Sequence, residues 1–130
     1  MPITVELLPD EPIVIMKFEG TVTAAEITEK LQETAEKTAD IAGTIYRIND
    51  ISDLQMTVKE MIALVTTLRQ PTPGAYNDPR FEVVFVNDNR TSHVYTDILQ
   101  TQLFREQPIR LFGSTEQAIE YIRQRIHETA

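Results

Sequence analysis

Short runs of apolar and β-branched residues alternate along this chain with longer stretches in which apolar residues recur at helical spacing. Two such runs, residues 3–8 and 13–18, open the sequence. The two prolines and two acidic residues at positions 9–12 predict a turn between these runs. The chain is therefore predicted to begin with an antiparallel β-hairpin.

Four amphipathic segments are predicted to form helices. The first begins at Thr23, whose spacing to Glu26 is that of a capping box, and is expected to end near Asp40. The second has the same spacing between Thr57 and Glu60. The apolar residues expected on the buried sides are, helix by helix, Ile27, Leu31 and Ala35; Val58, Met61, Ile62, Val65 and Leu68; Val94, Tyr95, Ile98, Leu99 and Leu103; and Ala118, Ile119, Ile122 and Ile126.

Three further strands are predicted between these helices, at residues 44–48, 82–86 and 109–112. The run 82–86 is almost entirely apolar, which is typical of a central strand covered on both faces. Thr91 and Ser92 precede the third helix as candidate caps. Alternating strands and helices require right-handed crossovers and give a mainly parallel sheet. We therefore predict a single α/β domain over residues 1–130, in which helices flank a mainly parallel sheet with the hairpin at its edge.

Composition and charge narrow the class of protein. The 130 residues suit one domain, and 42% hydrophobic with 25% charged residues is ordinary globular composition. Cysteine is absent, which excludes disulfides and thiolate metal sites. The first residues lack a signal-peptide pattern, and no apolar run approaches the roughly 20 residues of a membrane span. The net charge of −8 argues against nucleic-acid binding. We expect a soluble, cytoplasmic protein.

The usual motifs of catalysis and cofactor binding are missing. No GxGxxG, GxxxxGK[ST], HExxH, GxSxG or CxxC occurs in the sequence. His93, in the first turn of the third predicted helix, is a candidate general base with Asp88 or Asp97, or an ordinary surface histidine. Asp50, Asp53 and Asp88 could converge at the ends of neighbouring strands and hold Mg²⁺, as in receiver domains. The receiver pattern fails, because the acidic pair after the first strand and the lysine after the last strand are absent, so Asp50 and Asp53 are expected to be turn and capping residues. We expect no enzyme, cofactor or metal site.

A long proline-rich connection separates the second helix from the next strand. Residues 70–80 read QPTPGAYNDPR, which predicts a loop. Loops of this length in a tightly connected domain are often binding elements or lids, and a plain surface excursion is the alternative.

The segment RINDISDLQMT at residues 47–57 resembles the anti-sigma-factor-antagonist (STAS) superfamily, in particular its SpoIIAA-like branch. In that family the third strand runs into an Asp-Leu-Ser-type segment, to which Asp50-Ile51-Ser52 is similar. Thr57 stands near the helix start, where the signalling members carry a phosphorylatable serine. The ending LFGSTEQAIEYI at residues 111–122 is similar to the short strand and capped helix that close the branch. The resemblance implies a SpoIIAA-like fold.

The sequence departs from the signalling members at the start of the second helix. They have an Asp-Ser-Ser-Gly-type stretch, where this chain has Gln55-Met56-Thr57-Val58. The resemblance therefore does not carry over a phosphorylation switch. Thr57 remains a candidate phosphoacceptor, because a phosphate at a helix N-terminus meets free backbone N–H groups, or is simply the helix N-cap.

Three hypotheses for function follow. The first is a non-enzymatic module that binds another protein through the second helix, residues 57–69, and the loops after the third and fourth strands. The second is a domain that binds a small apolar molecule or lipid, and the third is a small enzyme using His93. Homodimerisation is a further option. The candidate interaction residues are Asp50, Ser52, Asp53, Met56, Thr57 and Met61, with Asp88, Asn89, Arg90 and His93 in the next loop.

Overall fold

A computed structural model describes residues 2–75, 77–90, 93–104 and 108–129. The chain forms strands and helices in the predicted order, and their bounds are β1 Ile3–Leu7, β2 Ile13–Thr21, α1 Ala24–Lys37, β3 Ile45–Gln55, α2 Val58–Leu68, β4 Phe81–Val86, α3 His93–Gln102, β5 Leu111–Phe112 and α4 Thr115–Thr129. None of these helices is long and apolar enough to cross a membrane. Tyr76 and the predicted caps Thr91 and Ser92 lie outside the described residues.

The five strands form one sheet in the order β1-β2-β3-β4-β5. Strands β1 and β2 pair antiparallel, and every other neighbouring pair is parallel. The predicted α/β class, the opening hairpin and the mainly parallel sheet are therefore confirmed. The expectation that residues 82–86 form a central strand covered on both faces is confirmed, because β4 lies between β3 and β5 and its side chains enter the cores on both faces of the sheet.

Alternating side chains of the inner strands divide the core into two layers. Met16, Phe18 and Phe85 point to the face covered by α1, α2 and α3. Ile48 and Val84 point to the opposite face, where they pack against α4. Each inner strand therefore has apolar residues on both faces, which explains why the period-two pattern of a half-exposed strand is weak in this sequence.

Strand β3 is longer than the sequence predicted. Residues 49–53 were expected to leave the sheet, yet β3 continues to Gln55. The register between β2 and β3 shifts between Lys17 and Glu19, so a bulge interrupts the alternation at this point. Ile51 and Leu54, three residues apart, consequently both face the same core. Because the bulge removes the period-two signal, the polar residues around it resemble a loop.

The two predicted capping boxes differ in the structure. The box at the start of α1 is complete, because Thr23 and Glu26 each accept a hydrogen bond from the other's backbone. At the start of α2, Thr57 Oγ1 accepts from Glu60 N at 3.1 Å. The carboxylate of Glu60 turns away and accepts from Ala24 N at 2.9 Å. Glu60 thus caps the first turn of α1 and joins the starts of two helices.

We expect Glu60→Ala to lower the free energy of unfolding by about 1–2 kcal/mol, because it leaves an N-terminal N–H of α1 without its charged acceptor. Urea denaturation followed by circular dichroism measures this loss. Lys59→Ala is the matched control, since Lys59 is the exposed neighbour in the same helix and should change stability by less than about 0.5 kcal/mol. Equal losses in the two variants would show that the bond between the helices contributes nothing.

The proline-rich connection between α2 and β4 is packed against the domain. Thr72, Gly74 and Ala75 are buried. Gly74 N donates to Asp78 Oδ2 at 2.9 Å, and Asn77 Nδ2 donates to the carbonyl oxygens at the end of α2. Part of this loop is therefore anchored against the core, whereas Gln70, Pro71, Pro73, Asn77 and Pro79 are exposed.

Candidate protein-docking surface

The outer face of α2 carries two exposed apolar side chains. The helix packs into the core through Met61, Leu64, Val65 and Leu68. Val58 and Ile62, one helical turn apart, are 71% and 61% exposed. The sequence had placed both on the buried side, and that expectation is wrong because the core reaches only the other part of the apolar stripe.

Helix α3 continues this apolar surface. Ile62 and Ile98 line a shared groove between α2 and α3. Val94, one turn before Ile98, is 51% exposed. Val94 lies in the first turn of α3, as Val58 lies in the first turn of α2. The sequence had placed Val94 on the buried side of its helix, and that expectation is also wrong. We call Val58, Ile62 and Val94 the apolar patch.

Polar contacts hold the two helices together at both ends of the groove. The phenol of Tyr95 in α3 accepts a hydrogen bond from Met56 N at 2.9 Å and donates to Met56 O at 3.2 Å. At the other end Arg69 Nη2 donates to Gln102 Oε1 at 3.0 Å. The backbone just before α2 is therefore fixed to α3, and the apolar patch lies on a defined surface.

The candidate interaction residues near the end of β3 differ in how exposed their side chains are. Ser52 is buried, and its Oγ accepts a hydrogen bond from Asp88 N at 3.1 Å. Asp50 is half-buried and accepts from Ser52 N at 3.1 Å. Asp53 is exposed. Ser52 thus links β3 to the loop after β4, and Asp50 supports the backbone of Ser52 from within the same strand.

The predicted residues of α2 separate into core and surface. Met61 is buried among the residues of the main core, so it does not reach the docking surface. Met56 is half-buried and packs against the same core. Thr57 is exposed, with its hydroxyl engaged as the helix cap.

The loop after β4 is exposed at the predicted residues Asp88, Asn89 and Arg90. His93 begins α3 and is exposed, as is Asp97 one turn later. Within the part of the chain that the structure describes, no hydrogen bond joins His93 to Asp88 or Asp97, and no three acidic or histidine residues are placed to hold a metal ion.

The structure also brings together two residues that the sequence interpretation did not single out. Arg47 and Asn49 lie side by side in β3, and both are buried. They line a largely apolar cavity beneath α1, α2 and α3. A signal was present in the sequence, because Arg47 is the one charged residue within the otherwise apolar run at positions 45–48.

Comparison with known proteins places the fold. No family model and no curated protein sequence matches the chain. An uncharacterised protein of the DUF3478 family from Shewanella loihica PV-4, with a SpoIIAA-like fold, is similar at a TM-score of 0.57 and 16% identity, over 92% of this chain and 90% of that chain. The unphosphorylated anti-sigma factor antagonist SpoIIAA is similar at a TM-score of 0.57 and 14% identity, over 93% of this chain and 97% of that chain. An anti-sigma factor antagonist from Mycobacterium paratuberculosis is similar at a TM-score of 0.53 and 13% identity, over 93% of this chain and 94% of that chain.

These similarities extend over nearly the whole chain. Because the sequence identities are only 13–16%, they establish the fold and nothing beyond it. They agree with the opening hairpin, the parallel strands and the flanking helices. The resemblance predicted from residues 47–57 and 111–122 is therefore confirmed for the fold, and the chain has a SpoIIAA-like fold of the STAS type.

Proposed function

We propose that this chain is a non-enzymatic module that binds a partner protein through the apolar patch on α2 and α3. The observation that carries the proposal is the pair Val58 and Ile62, exposed at 71% and 61% on one face of a helix whose other face is core. Exposed apolar side chains that cluster, unlike scattered ones, mark interaction sites. The likeness in fold to two anti-sigma factor antagonists, whose name describes action on another protein, supports the same function.

The patch suits a partner with an apolar ridge of its own. Covering Val58, Ile62 and Val94 removes apolar area from water, at about 25 cal/mol per Å² buried. The groove beside Ile62 has polar ends at Thr66, Thr101 and the Arg69–Gln102 pair, which offer hydrogen bonds at the rim. Binding at this surface requires no phosphorylated residue, and the Thr57 hydroxyl serves as the α2 cap.

The partner is identified by photo-crosslinking in extracts of the native host. In one variant a photoreactive phenylalanine replaces Thr66, which is exposed in the groove. In a control variant the same photoreactive residue replaces Thr4, which is exposed in β1. A protein captured at position 66 but not at position 4 is then purified and its binding to the unlabelled chain is measured by calorimetry. We expect one-to-one binding, and the proposal fails if no captured protein binds in purified form.

The double variant Val58→Gln with Ile62→Gln is expected to weaken that binding at least tenfold, because each lost apolar contact is worth about 1–2 kcal/mol. The unfolding free energy should change by less than about 1 kcal/mol, since both side chains are exposed and glutamine is a good helix former. Leu7→Gln, which changes an exposed leucine in β1, should leave the affinity within twofold.

Two results would contradict the proposal. Equal weakening by Leu7→Gln would show that binding does not depend on this patch. Sedimentation showing a wild-type dimer that the double variant converts to monomer would assign the patch to a second copy of the chain instead of to another protein.

A further inference from the structure

A buried arginine stands at the centre of the sheet. Arg47 is 2% exposed in the middle of β3. Its Nε donates to Asn49 Oδ1 at 3.0 Å, and its Nη1 donates to the carbonyl oxygen of Gly74. The guanidinium carbon also lies 5.5 Å from the centre of the Phe81 ring. Among the described residues neither Arg47 Nη2 nor Asn49 Nδ2 donates a hydrogen bond, and both atoms stay accessible, because the fully enclosed side-chain nitrogen without a partner there is Asn87 Nδ2.

The positive charge of Arg47 has no carboxylate in direct contact. None of the ion pairs among the described residues includes it. Burial lowers the pKa of the Arg47 guanidinium to about 10, and the charge of Asp78 opposes that shift without forming an ion pair. The side chain remains protonated at neutral pH, so a buried cation with unused donors is present. Buried charges in proteins are ordinarily paired, which makes this arrangement unusual.

The same arginine lines a partly open cavity. Fifteen described residues form the wall, and all except Arg47 and Asn49 are apolar. The cavity has a volume of about 60 Å³, counted as the space that the centre of a water-sized atom can reach. At about 10–15 Å³ per water-sized group, this space takes roughly four to six non-hydrogen atoms. The inner faces of α1, α2 and α3 form the apolar side of the wall, opposite the two polar residues of β3.

We propose that this cavity binds a small monocarboxylate with a short apolar chain, whose carboxylate contacts Arg47 and Asn49 and whose chain lies against the helices. A carboxylate supplies both the missing counter-charge and the acceptors that Arg47 Nη2 and Asn49 Nδ2 lack. The apolar wall accepts an alkyl chain and offers no partner to a second charged group. The size of the cavity selects an acid of about six non-hydrogen atoms.

Butyrate, which has six non-hydrogen atoms, is the probe, with butan-1-ol and butylammonium as neutral and cationic counterparts of the same chain. Each is titrated at neutral pH into protein with ¹³C-labelled methyl groups, and the Met61, Leu64 and Leu99 signals are followed by NMR. We expect butyrate to shift these cavity signals with a dissociation constant on the order of 1 mM. Butan-1-ol should bind at least about tenfold more weakly, because it lacks the charge-assisted contact, and butylammonium should not bind.

Two variants separate recognition of the carboxylate from folding. Arg47→Met keeps an unbranched, flexible side chain and removes the guanidinium with its donors, and we expect butyrate and butan-1-ol to bind it equally weakly. Leu64→Phe fills the cavity from α2 and leaves Arg47 in place, so neither compound should shift the cavity signals. A thermal melt of each variant establishes that it is folded, and the second variant carries the test if the first does not fold.

The proposal is overturned if the wild-type protein binds butyrate and butan-1-ol with the same affinity, or if butyrate shifts only surface signals. It is also overturned if Arg47→Met retains the preference for butyrate. A loss of stability in Arg47→Met alone would reflect the hydrogen bond to Gly74, whereas the ratio of the two affinities reports the carboxylate contact.

Discussion

Gly74→Ala is expected to lower the free energy of unfolding by about 3–5 kcal/mol, the largest loss that we predict for a single methyl group in this chain. Gly74 has a φ of +81°, which costs an L-residue about 1–2 kcal/mol. A Cβ atom at this position would also overlap the carbonyl oxygen of Leu31 and lie 2.9 Å from its carbonyl carbon. That obstacle is backbone of α1, so it cannot rotate away, and the loop must separate from the helix.

Gly43→Ala is the matched control, because it isolates the cost of the backbone conformation. Gly43 has nearly the same φ, +83°, and a Cβ atom there would meet nothing within 4 Å. We expect this variant to lose only about 1 kcal/mol in urea denaturation. If the two alanine variants lost the same stability, the close approach between Gly74 and Leu31 would have no energetic importance.

Ile122→Ala is expected to lower the free energy of unfolding by about 3–4 kcal/mol, whereas the same substitution at Ile62 should change it by less than about 0.5 kcal/mol. Ile122 in α4 is 0% exposed and packs against the sheet. Ile62 in α2 is among the exposed apolar residues, and alanine there even favours the helix slightly.

Chemical denaturation of both isoleucine variants under identical conditions measures the difference. The two changes remove the same atoms from the middle of a helix, so helix propensity cancels and burial remains. A loss above about 2 kcal/mol in Ile62→Ala would mean that Ile62 is part of the core, and the docking surface proposed on α2 would then lose its central residue.

The positions of helices and strands could be predicted because their signals are local. Thr23 with Glu26 marks the start of α1 through contacts within one turn. The apolar spacing of Leu31, Met61, Leu99 and Ile122 identified residues that are indeed buried. The hairpin followed from the prolines at positions 9 and 12.

The candidate surface could be predicted only in part. The sequence indicated α2 as the interacting element, and the apolar patch lies on it. The sequence-based prediction assigned Val58 and Ile62 to the core. The spacing of apolar residues along a helix does not indicate how much of the apolar face the neighbouring elements will cover. Met61 belonged both to the predicted buried stripe and to the candidate interaction residues, and the structure places it in the core.

By itself, the sequence determined the α/β class, the order of the elements and the resemblance to the SpoIIAA-like fold, since these depend on periodicity, caps and turns within a few residues. Only the tertiary structure decided which apolar residues of α2 remain exposed and that β3 continues through a bulge to Gln55. It also decided that Arg47, Asn49 and Gly74 meet beside the cavity. These features arise from contacts between segments far apart in the chain, and local spacing carries no information about which segments will meet.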